Sequence, residues 1–449
     1  MGGISTTGSR DIEVTAVLER RGIGSVQLLV LGLCALAMMI DGYDLYVVGY
    51  VLPAIAKDLG VAPASLTPVL LAQQVGLALG SFLVSPFADR FGRRTVLLAS
   101  VALFGLFTLA VAQAHSIAAM APLRFLAGAF LSGVIPNAIA LTTEIAPPRL
   151  RATMVTIMFC GFTFGTATGG YFATRLLDAF GWQGAFWGGG LLPLALLPLW
   201  AVLLPESLQF RLQRDDRDPE IGRLLVRIDP TLSLDGGERF VLDEASAAGA
   251  PPVLALFQDG RAASTLLLWF SFFMGLLAIY LTAAWMPTFF TSFSRMTLTQ
   301  AAEIGLVMAT SGIVTMLFYG RLLDRFGPAR VLPLTYLGGA LAVAAIGFVD
   351  WDSWALYPAV VVEGACVIGG QSGLNALAAI LYPTRMRATG IGWAFGAGRF
   401  GSIFGPAIGG FMLARHWNVG PVFLVTAAPI LLVAAGTALV GFRGADGKA

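Results

Sequence analysis

Two carboxylates inside an otherwise apolar stretch are the first residues in this chain equipped for chemistry. Asp41-Gly42-Tyr43-Asp44 is preceded by VQLLVLGLCALAMMI and followed by LYVVGYVLP. On a helix, residues three apart stack on one face about a turn apart. A charge at mid-bilayer costs roughly 2.5–3.5 kcal/mol even on lenient insertion scales, so such a pair points to a functional site facing a cavity. The plainer readings are a position near the interface, or simple pairing with an arginine. Two arginines also fall inside apolar stretches. Arg399 lies about twelve residues into its stretch, roughly 18 Å along a helix, and so reaches the midplane. Its guanidinium can take a carboxylate as a two-pronged pair, or serve only as a partner for Asp41 or Asp44. Arg124 lies nearer the outer third of its stretch and could pair with an aspartate or with a bound anion.

Composition puts a membrane around these residues. Of 449 residues, 57% are hydrophobic and 12% charged, where a soluble domain is nearer a quarter charged. Twelve apolar stretches can each cross a core of roughly 30 Å: 26–50, 64–88, 95–113, 117–143, 152–175, 184–204, 264–290, 300–321, 330–349, 354–381, 388–413 and 420–441. Of the 28 Lys and Arg, 22 fall on the side of both chain ends. Lys57, Arg175, Arg295 and Arg415 fall on the other, and Arg124 and Arg399 within spans. That asymmetry places both termini in the cytoplasm. The expected organisation is a tail (1–25), a first six-helix bundle (26–204), a cytoplasmic loop (205–262), a second bundle (263–442) and a tail (443–449). Within the loop, the amphipathic run IGRLLVRI with Arg223 and Arg227 is expected along the membrane surface.

Several function classes drop out. Cys34, Cys160 and Cys366 all lie in apolar spans and read as packing residues rather than a disulfide framework. The two histidines, His115 and His416, fall near outer loops, and no metal-ligand or nucleophile arrangement exists. No enzyme activity, cofactor or metal is expected. A net charge of +2 without a basic tract gives no footing for nucleic acid.

The chain repeats itself. Asp89-Arg90-Phe91-Gly92 recurs as Asp324-Arg325-Phe326-Gly327, an offset of 235, and Pro147-Pro148-Arg149-Leu150-Arg151-Ala152-Thr153 recurs as Pro383-Thr384-Arg385-Met386-Arg387-Ala388-Thr389, an offset of 236. Two motifs at one offset indicate a duplicated six-span unit, a transporter signature with the site between the halves near the midplane. Asp89, Arg90, Arg93, Asp324 and Arg325 can form charge pairs on the cytoplasmic face that hold the halves in one state and break in the other. Glu144, near the end of span 4 and seven residues before Arg151, suits the same gate. Positive-inside anchoring is the plainer reading of the arginines, but does not explain the aspartates.

These residues resemble a known superfamily. Ser85-Pro-Phe-Ala-Asp89-Arg-Phe-Gly92-Arg-Arg94 is similar to the loop 2–3 signature of the major facilitator superfamily, with Ser85 where glycine is usual. Gly320-Arg-Leu-Leu-Asp324-Arg-Phe-Gly327 is its counterpart. Arg124-Phe-Leu-Ala-Gly128 resembles the span 4 arginine motif linked to proton coupling, and Pro205-Glu206-Ser207 a frequent ending of span 6. Asp41-Gly42-Tyr43-Asp44, Arg124 and Tyr382-Pro-Thr-Arg-Met-Arg387-Ala-Thr-Gly-Ile-Gly-Trp393 running to Gly398-Arg399-Phe400-Gly401 together resemble the aromatic acid:proton symporter family. The resemblance implies functional roles for Asp41, Asp44, Arg387 and Arg399. Proton antiporters of the superfamily usually carry a glycine-proline signature in span 5. Here span 5 has no proline and Pro406 lies in span 11, which favours import.

The expectation is therefore an all-α integral membrane protein of twelve transmembrane helices in two pseudo-symmetric six-helix bundles. It would carry a small aromatic carboxylate inward with protons across a bacterial-type plasma membrane, as a monomer. Asp41, Asp44 and Arg124 would couple protons. Arg399, Arg387, Tyr43, Gln371, Asn375 and Trp393 would meet substrate. Gln371 and Asn375, four apart, share a helix face suited to ring hydroxyls, or equally to bonding a neighbouring helix. Phe162, Tyr280 and Trp285 join Tyr43 and Trp393 as stacking candidates, each also suited to packing. A drug or metabolite exporter of the same fold is the nearer alternative, a non-transporting sensor the remote one.

Overall fold

The structure, a computed structural model, describes residues 11–234, 238–241, 253–351, 353–382 and 384–446. Beyond α1 (Val14–Arg21), six rods form the first half. They are α2 (Ser25–Asp58), α3 (Thr67–Phe91), α4 (Arg93–Val111), α5 with α6 (Ile117–Leu131, Val134–Ile145), α7 (Arg151–Phe180) and α8 (Trp182–Leu203). The short helices α9 (Leu208–Arg214) and α10 (Pro219–Ile228) lead to six more rods: α11 (Ala262–Phe293), α12 (Leu298–Phe326), α13 (Pro328–Ile346), α14 with α15 (Leu356–Glu363, Gly369–Leu381), α16 (Thr384–Ala414) and α17 (Val419–Asp446). Among the described residues eight rods are long and apolar enough by themselves to cross a membrane. The remaining four are α3, α7, α13 and α16. Of these, α3 carries Gln73 and Gln74, and α7 and α16 are rich in glycine. The first rod runs eight residues past its expected end, the fourth breaks at Ser132-Gly133, and the tenth contains a π-helical turn at Gly364–Ile368.

The duplication extends from loop motifs to backbone contacts. In the first half α2 packs on α7, α3 on α5 and α4 on α8; in the second α11 packs on α16, α12 on the π turn and α15, and α13 on α17. A Cβ at Gly165 would lie 2.0 Å from the Met39 carbonyl oxygen, and one at Gly401 2.0 Å from that of Phe273. Likewise a Cβ at Gly128 would meet the Gln73 carbonyl at 2.2 Å, and one at Gly364 the Met308 carbonyl at 2.0 Å. Both glycine pairs are 236 residues apart, within one residue of the loop-motif offsets of 235 and 236. The Asp-Arg-Phe-Gly repeat has a local cause as well. Gly92 and Gly327 end α3 and α12 at φ +95° and +78°, where a side chain would be strained. Each N–H returns to the carbonyl four residues back, Ala88 and Leu323. Arg90 lies over Phe91 at 5.3 Å and Arg325 over Phe326 at 5.2 Å.

The halves meet through α2 with α11, α3 with α16, and α7 with α12. At the end remote from the chain termini they share one core, in which Tyr46, Val47, Tyr50, Val51 and Leu52 join Met286, Phe290 and Ile304. There a Cβ at Gly49 would sit 2.4 Å from the Ala283 carbonyl oxygen. At the end bearing the termini, the first half keeps a core of its own, in which Val30, Leu31 and Met38 pack with Met154, Met158 and Trp200.

Outside the rods a small module caps the terminus-bearing end. Strand β1 (Asp11–Glu13) pairs in parallel with β2 (Arg239–Val241), so the all-α description holds for the membrane part with one two-stranded sheet beside it. The expectation for IGRLLVRI is corrected here. Ile221, Leu224, Leu225 and Ile228 of α10 are buried in a cluster with Val14, Leu18 and Phe240. The apolar face is covered by the chain itself, leaving no apolar stripe for lipid.

Candidate functional site

The four residues Asp41-Gly42-Tyr43-Asp44 point in four directions from the middle of α2. Gly42 faces α7 so closely that a Cβ there would lie 2.0 Å from the Phe162 carbonyl oxygen. Tyr43 faces α8, its hydroxyl donating to the Ala185 carbonyl at 2.9 Å, with its ring beside Gly169 and Gly189. Asp44 faces α3 and α5. Arg124 grips it with two prongs, Nη1 to Oδ1 at 2.9 Å and Nη2 to Oδ2 at 3.4 Å, and Gln73 Nε2 donates to Oδ2 as well. Arg124 is 0% and Asp44 2% exposed. The Phe186 ring, 5.7 Å from the guanidinium, closes the far side. Of the two partners left open for Arg124, it takes the aspartate.

Asp41, one turn toward the terminus-bearing end, is differently placed. Burial leaves it 6% exposed, yet it accepts no hydrogen bond among the described residues. The charges it interacts with are Arg399, across the seam on α16, and Asp44. Arg399 is half-buried, and Nη1 donates to the Tyr280 hydroxyl of α11 at 3.3 Å. Its remaining donors are uncommitted among the described residues. Gly392 lies about 20° around α16 from Arg399 on the terminus-bearing side, and a Cβ at Gly392 or Gly396 would meet nothing within 4 Å. Open space thus leads along this face to Arg399.

Gln371 and Asn375 lie on α15, with Gln371 Oε1 3.1 Å from a Cβ built on Gly275 of α11. Both Gln371 polar atoms and Asn375 Oδ1 are buried without a partner among the described residues, so they have donors and acceptors to offer a ligand. Trp393 stacks on Trp269 at 5.7 Å and 15°. Six residues from Arg399, it sits about a third of a turn around the helix from it. Trp285 is fully buried and donates to the Pro406 carbonyl at 2.9 Å, fastening α11 to α16. The side chains of Arg387, Asp89 and Asp324 lie outside the described residues.

Of the expected gate residues, Arg93 and Glu144 come together, and they do so within one half. Arg93 Nε meets Glu144 Oε1 at 3.2 Å, while the Ser207 hydroxyl and the Gln209 N–H donate to Glu144 Oε2. Arg93 also donates to the Ser207 hydroxyl at 2.8 Å, and Glu206 accepts the Arg94 N–H at 2.9 Å. This knot ties the α3–α4 loop, α6 and the Pro205-Glu206-Ser207 segment together. Arg151 opens α7, and Arg90 and Arg325 are exposed over their neighbouring phenylalanines. Among the described residues no ion pair crosses between the halves.

Sequence reasoning gave Gln73 no specific role and placed Tyr280 only among stacking rings. Neither has a motif. A glutamine pair within an apolar span is the one signal that singles out Gln73.

Twelve rods in two like halves, with charges at the centre of the seam, narrow the choice of families, and a direct match decides it. The model of the Major Facilitator Superfamily matches residues 34–386 and 296–447. The chain belongs to the major facilitator superfamily. Within it, the chain is 38% identical over 423 residues to the gallate transporter of Pseudomonas putida, covering 94% of each. It is 37% identical over 431 residues to the 4-hydroxybenzoate transporter PcaK of Pseudomonas aeruginosa, covering 96% of each. A crystal structure of a D-xylose-proton symporter shares the fold, with a TM-score of 0.73 over 92% of this chain and 97% of that one at 16% identity. The motif resemblance to the aromatic-acid family thus extends along the whole chain. Asp41 and Arg399 interact across the seam between its halves.

Proposed function

We propose that this protein is a proton-coupled importer of a small aromatic carboxylate, of the benzoate or hydroxybenzoate kind. It works by alternating access, as a monomer, in a bacterial plasma membrane with both termini cytoplasmic. The relatives and the family are transporters, and the chain is a transporter rather than an enzyme. Residues 26–204 and 263–442 act as the two rocking bundles, and 205–262 as the loop that joins them. The observation that carries the reading is the contrast between the two aspartates. Asp44 is satisfied by Arg124 and Gln73, whereas Asp41 accepts no hydrogen bond among the described residues and interacts across the seam with Arg399, whose one described hydrogen bond goes to Tyr280.

On this reading the anion enters and binds Arg399, its ring hydroxyls meeting Gln371 and Asn375. The negative charge of the anion competes with Asp41 for the same guanidinium. A proton on Asp41 removes that competition and leaves no net negative charge to bury, so closure follows loading. Arg124 stays on Asp44 and keeps the first half rigid. The closed remote end, and the open space along Gly392 and Gly396, support a state facing the cytoplasm. Moving more than one proton per anion makes the step electrogenic, worth roughly 2.3 kcal/mol per charge per 100 mV.

The test is a thermal-shift panel of benzoates, hydroxybenzoates, methoxylated benzoates and phenylpropanoates on purified protein, then uptake of any hit into vesicles under a pH gradient. Stabilisation by at least one acid, with uptake that follows the gradient, is expected. Extrusion of a cationic dye without aromatic-acid uptake would sink the reading in favour of an exporter.

A further inference from the structure

A second carboxylate lies buried in the other half of the molecule, with no role so far. Glu363 of α14 is 1% exposed, and neither carboxylate oxygen has a hydrogen-bond partner among the described residues. The fold does not require an acid there. Gly128 and Gly364 make the same glycine-to-carbonyl contact in the two halves, so the residues before them, Ala127 and Glu363, occupy equivalent places. Ala127 is 0% exposed in the position that Glu363 takes in the second half. The π turn begins at the next residue. Such turns widen a helix locally and recur at functional sites.

Among the described residues the surroundings offer Glu363 hydroxyls and a thiol but no counter-charge. Tyr46 of α2 interacts with Glu363, and Tyr280 of α11 with Tyr46. On α12 the Ser311 hydroxyl is committed to the Met308 carbonyl. On its own element Cys366 interacts with it, and on α13 Tyr336, whose hydroxyl is unpartnered, interacts with Cys366. Among the described residues no cation interacts with Glu363. A carboxylate with no counter-charge beside it is far cheaper to bury neutral than ionised. Space of the size of a water molecule is nevertheless close. Tyr46 and Val360, one turn before Glu363, line a cavity of about 10 Å³ at the closed seam together with Tyr50, Thr282, Met286 and Gly305. That is room for about one water.

We propose that Glu363 is a proton-binding site whose loading is the condition for closing the remote end of the seam. When the seam parts between α2 and α11, outside water reaches the carboxylate, which releases its proton. When the seam closes, a proton from that water bonds to a carboxylate oxygen and is buried with it. Closure therefore takes up one proton and is favoured by acid. The proposal rests on the alternating-access reading, though it needs no substrate and can be tested without one.

The experiment places spin labels at Ala62→Cys and Arg295→Cys, exposed positions in remote-end loops of the two halves, in a background free of native cysteines and in lipid nanodiscs. The distance distribution gives the ratio of open to closed forms as pH is varied. One proton bound on closing changes that ratio about tenfold per pH unit. The wild type is expected to show that slope, and Glu363→Gln to stay closed at every pH. A flat wild-type response, or an unchanged slope in Glu363→Gln, overturns the proposal, the latter by assigning the proton elsewhere. Should the glutamine variant fail to fold, Glu363→Asp decides: retaining the acid must retain the slope. Failure of aromatic-acid uptake would overturn the transport reading while leaving this measurement intact.

Discussion

Arg124 closes on Asp44 at 2.9 Å in a space where neither side chain is more than 2% exposed. The first prediction follows from how unequal this pair is to the Arg399–Tyr280 contact. Arg124→Gln strands a buried carboxylate and is expected to cost about 3–5 kcal/mol. Arg399→Gln removes a single long hydrogen bond and should cost no more than about 1.5 kcal/mol. Thermal unfolding in detergent separates the two. Anion binding should show the reverse order of interest, vanishing in Arg399→Gln while the protein remains folded.

Asp41→Asn is expected to fold like the wild type, because no described residue bonds to the carboxylate it replaces. Its uptake of an aromatic acid should lose the response to a pH gradient. Vesicles in which Asp41→Asn still follows the gradient in full would move the proton role to another group. Asp44→Asn is predicted to weaken the fold first, since three donor contacts converge on that side chain.

Gly42→Ala pushes a methyl group against the Phe162 carbonyl, where only 2.0 Å is available. Overpacking of this kind costs about 1–3 kcal/mol, and here it pries α2 from α7. Gly32→Ala, on the same helix with nothing within 4 Å, is the control. It should be neutral or stabilising by about 0.5–1 kcal/mol through helix propensity. Melting temperatures of the two variants check the contrast.

The loop module carries a pH signature of its own. Burial opposes the charge on Asp218, but hydrogen bonds from Arg211 and from the Glu220 N–H outweigh it and hold the carboxyl below its usual range. A depressed carboxylate stabilises the folded form fully above its unfolded pKa, near 3.8, and the contribution is lost as pH falls through the lower folded value. The α9–α10 module should therefore stay docked at neutral pH and loosen only in strong acid. Hydrogen exchange of α10 across that range is the measurement, and loosening between pH 5 and 7 would contradict it.

The fold was legible because duplication leaves arithmetic behind. Offsets of 235 between Asp89 and Asp324, and of 236 between Arg151 and Arg387, are matched by the 236 between the contact glycines Gly128 and Gly364. Membrane burial made Asp41, Asp44, Arg124 and Arg399 conspicuous, since each charge is expensive there. Which aspartate is satisfied was not legible. Asp44 owes its state to Gln73 and Arg124, 29 and 80 residues away, and nothing in D-G-Y-D ranks one acid above the other. The amphipathic pattern of α10 revealed an apolar face but not what covers it. Lipid and the N-terminal helix α1 ask the same pattern of a sequence. Glu363 stood in an apolar run with no counterpart motif, and its meaning depends on a symmetry mate that only the contacts identify.

The seam at the remote end is built from aliphatic, aromatic and small side chains, with no described ion pair across it. Its opening should therefore be indifferent to ionic strength, unlike a gate made of salt bridges. What opening exposes is apolar area, and apolar area gives a positive heat-capacity change on exposure. The rate at which the carrier turns outward should accordingly bend away from a straight Arrhenius line, so that the membrane's temperature, more than the salt outside it, sets the pace of the cycle.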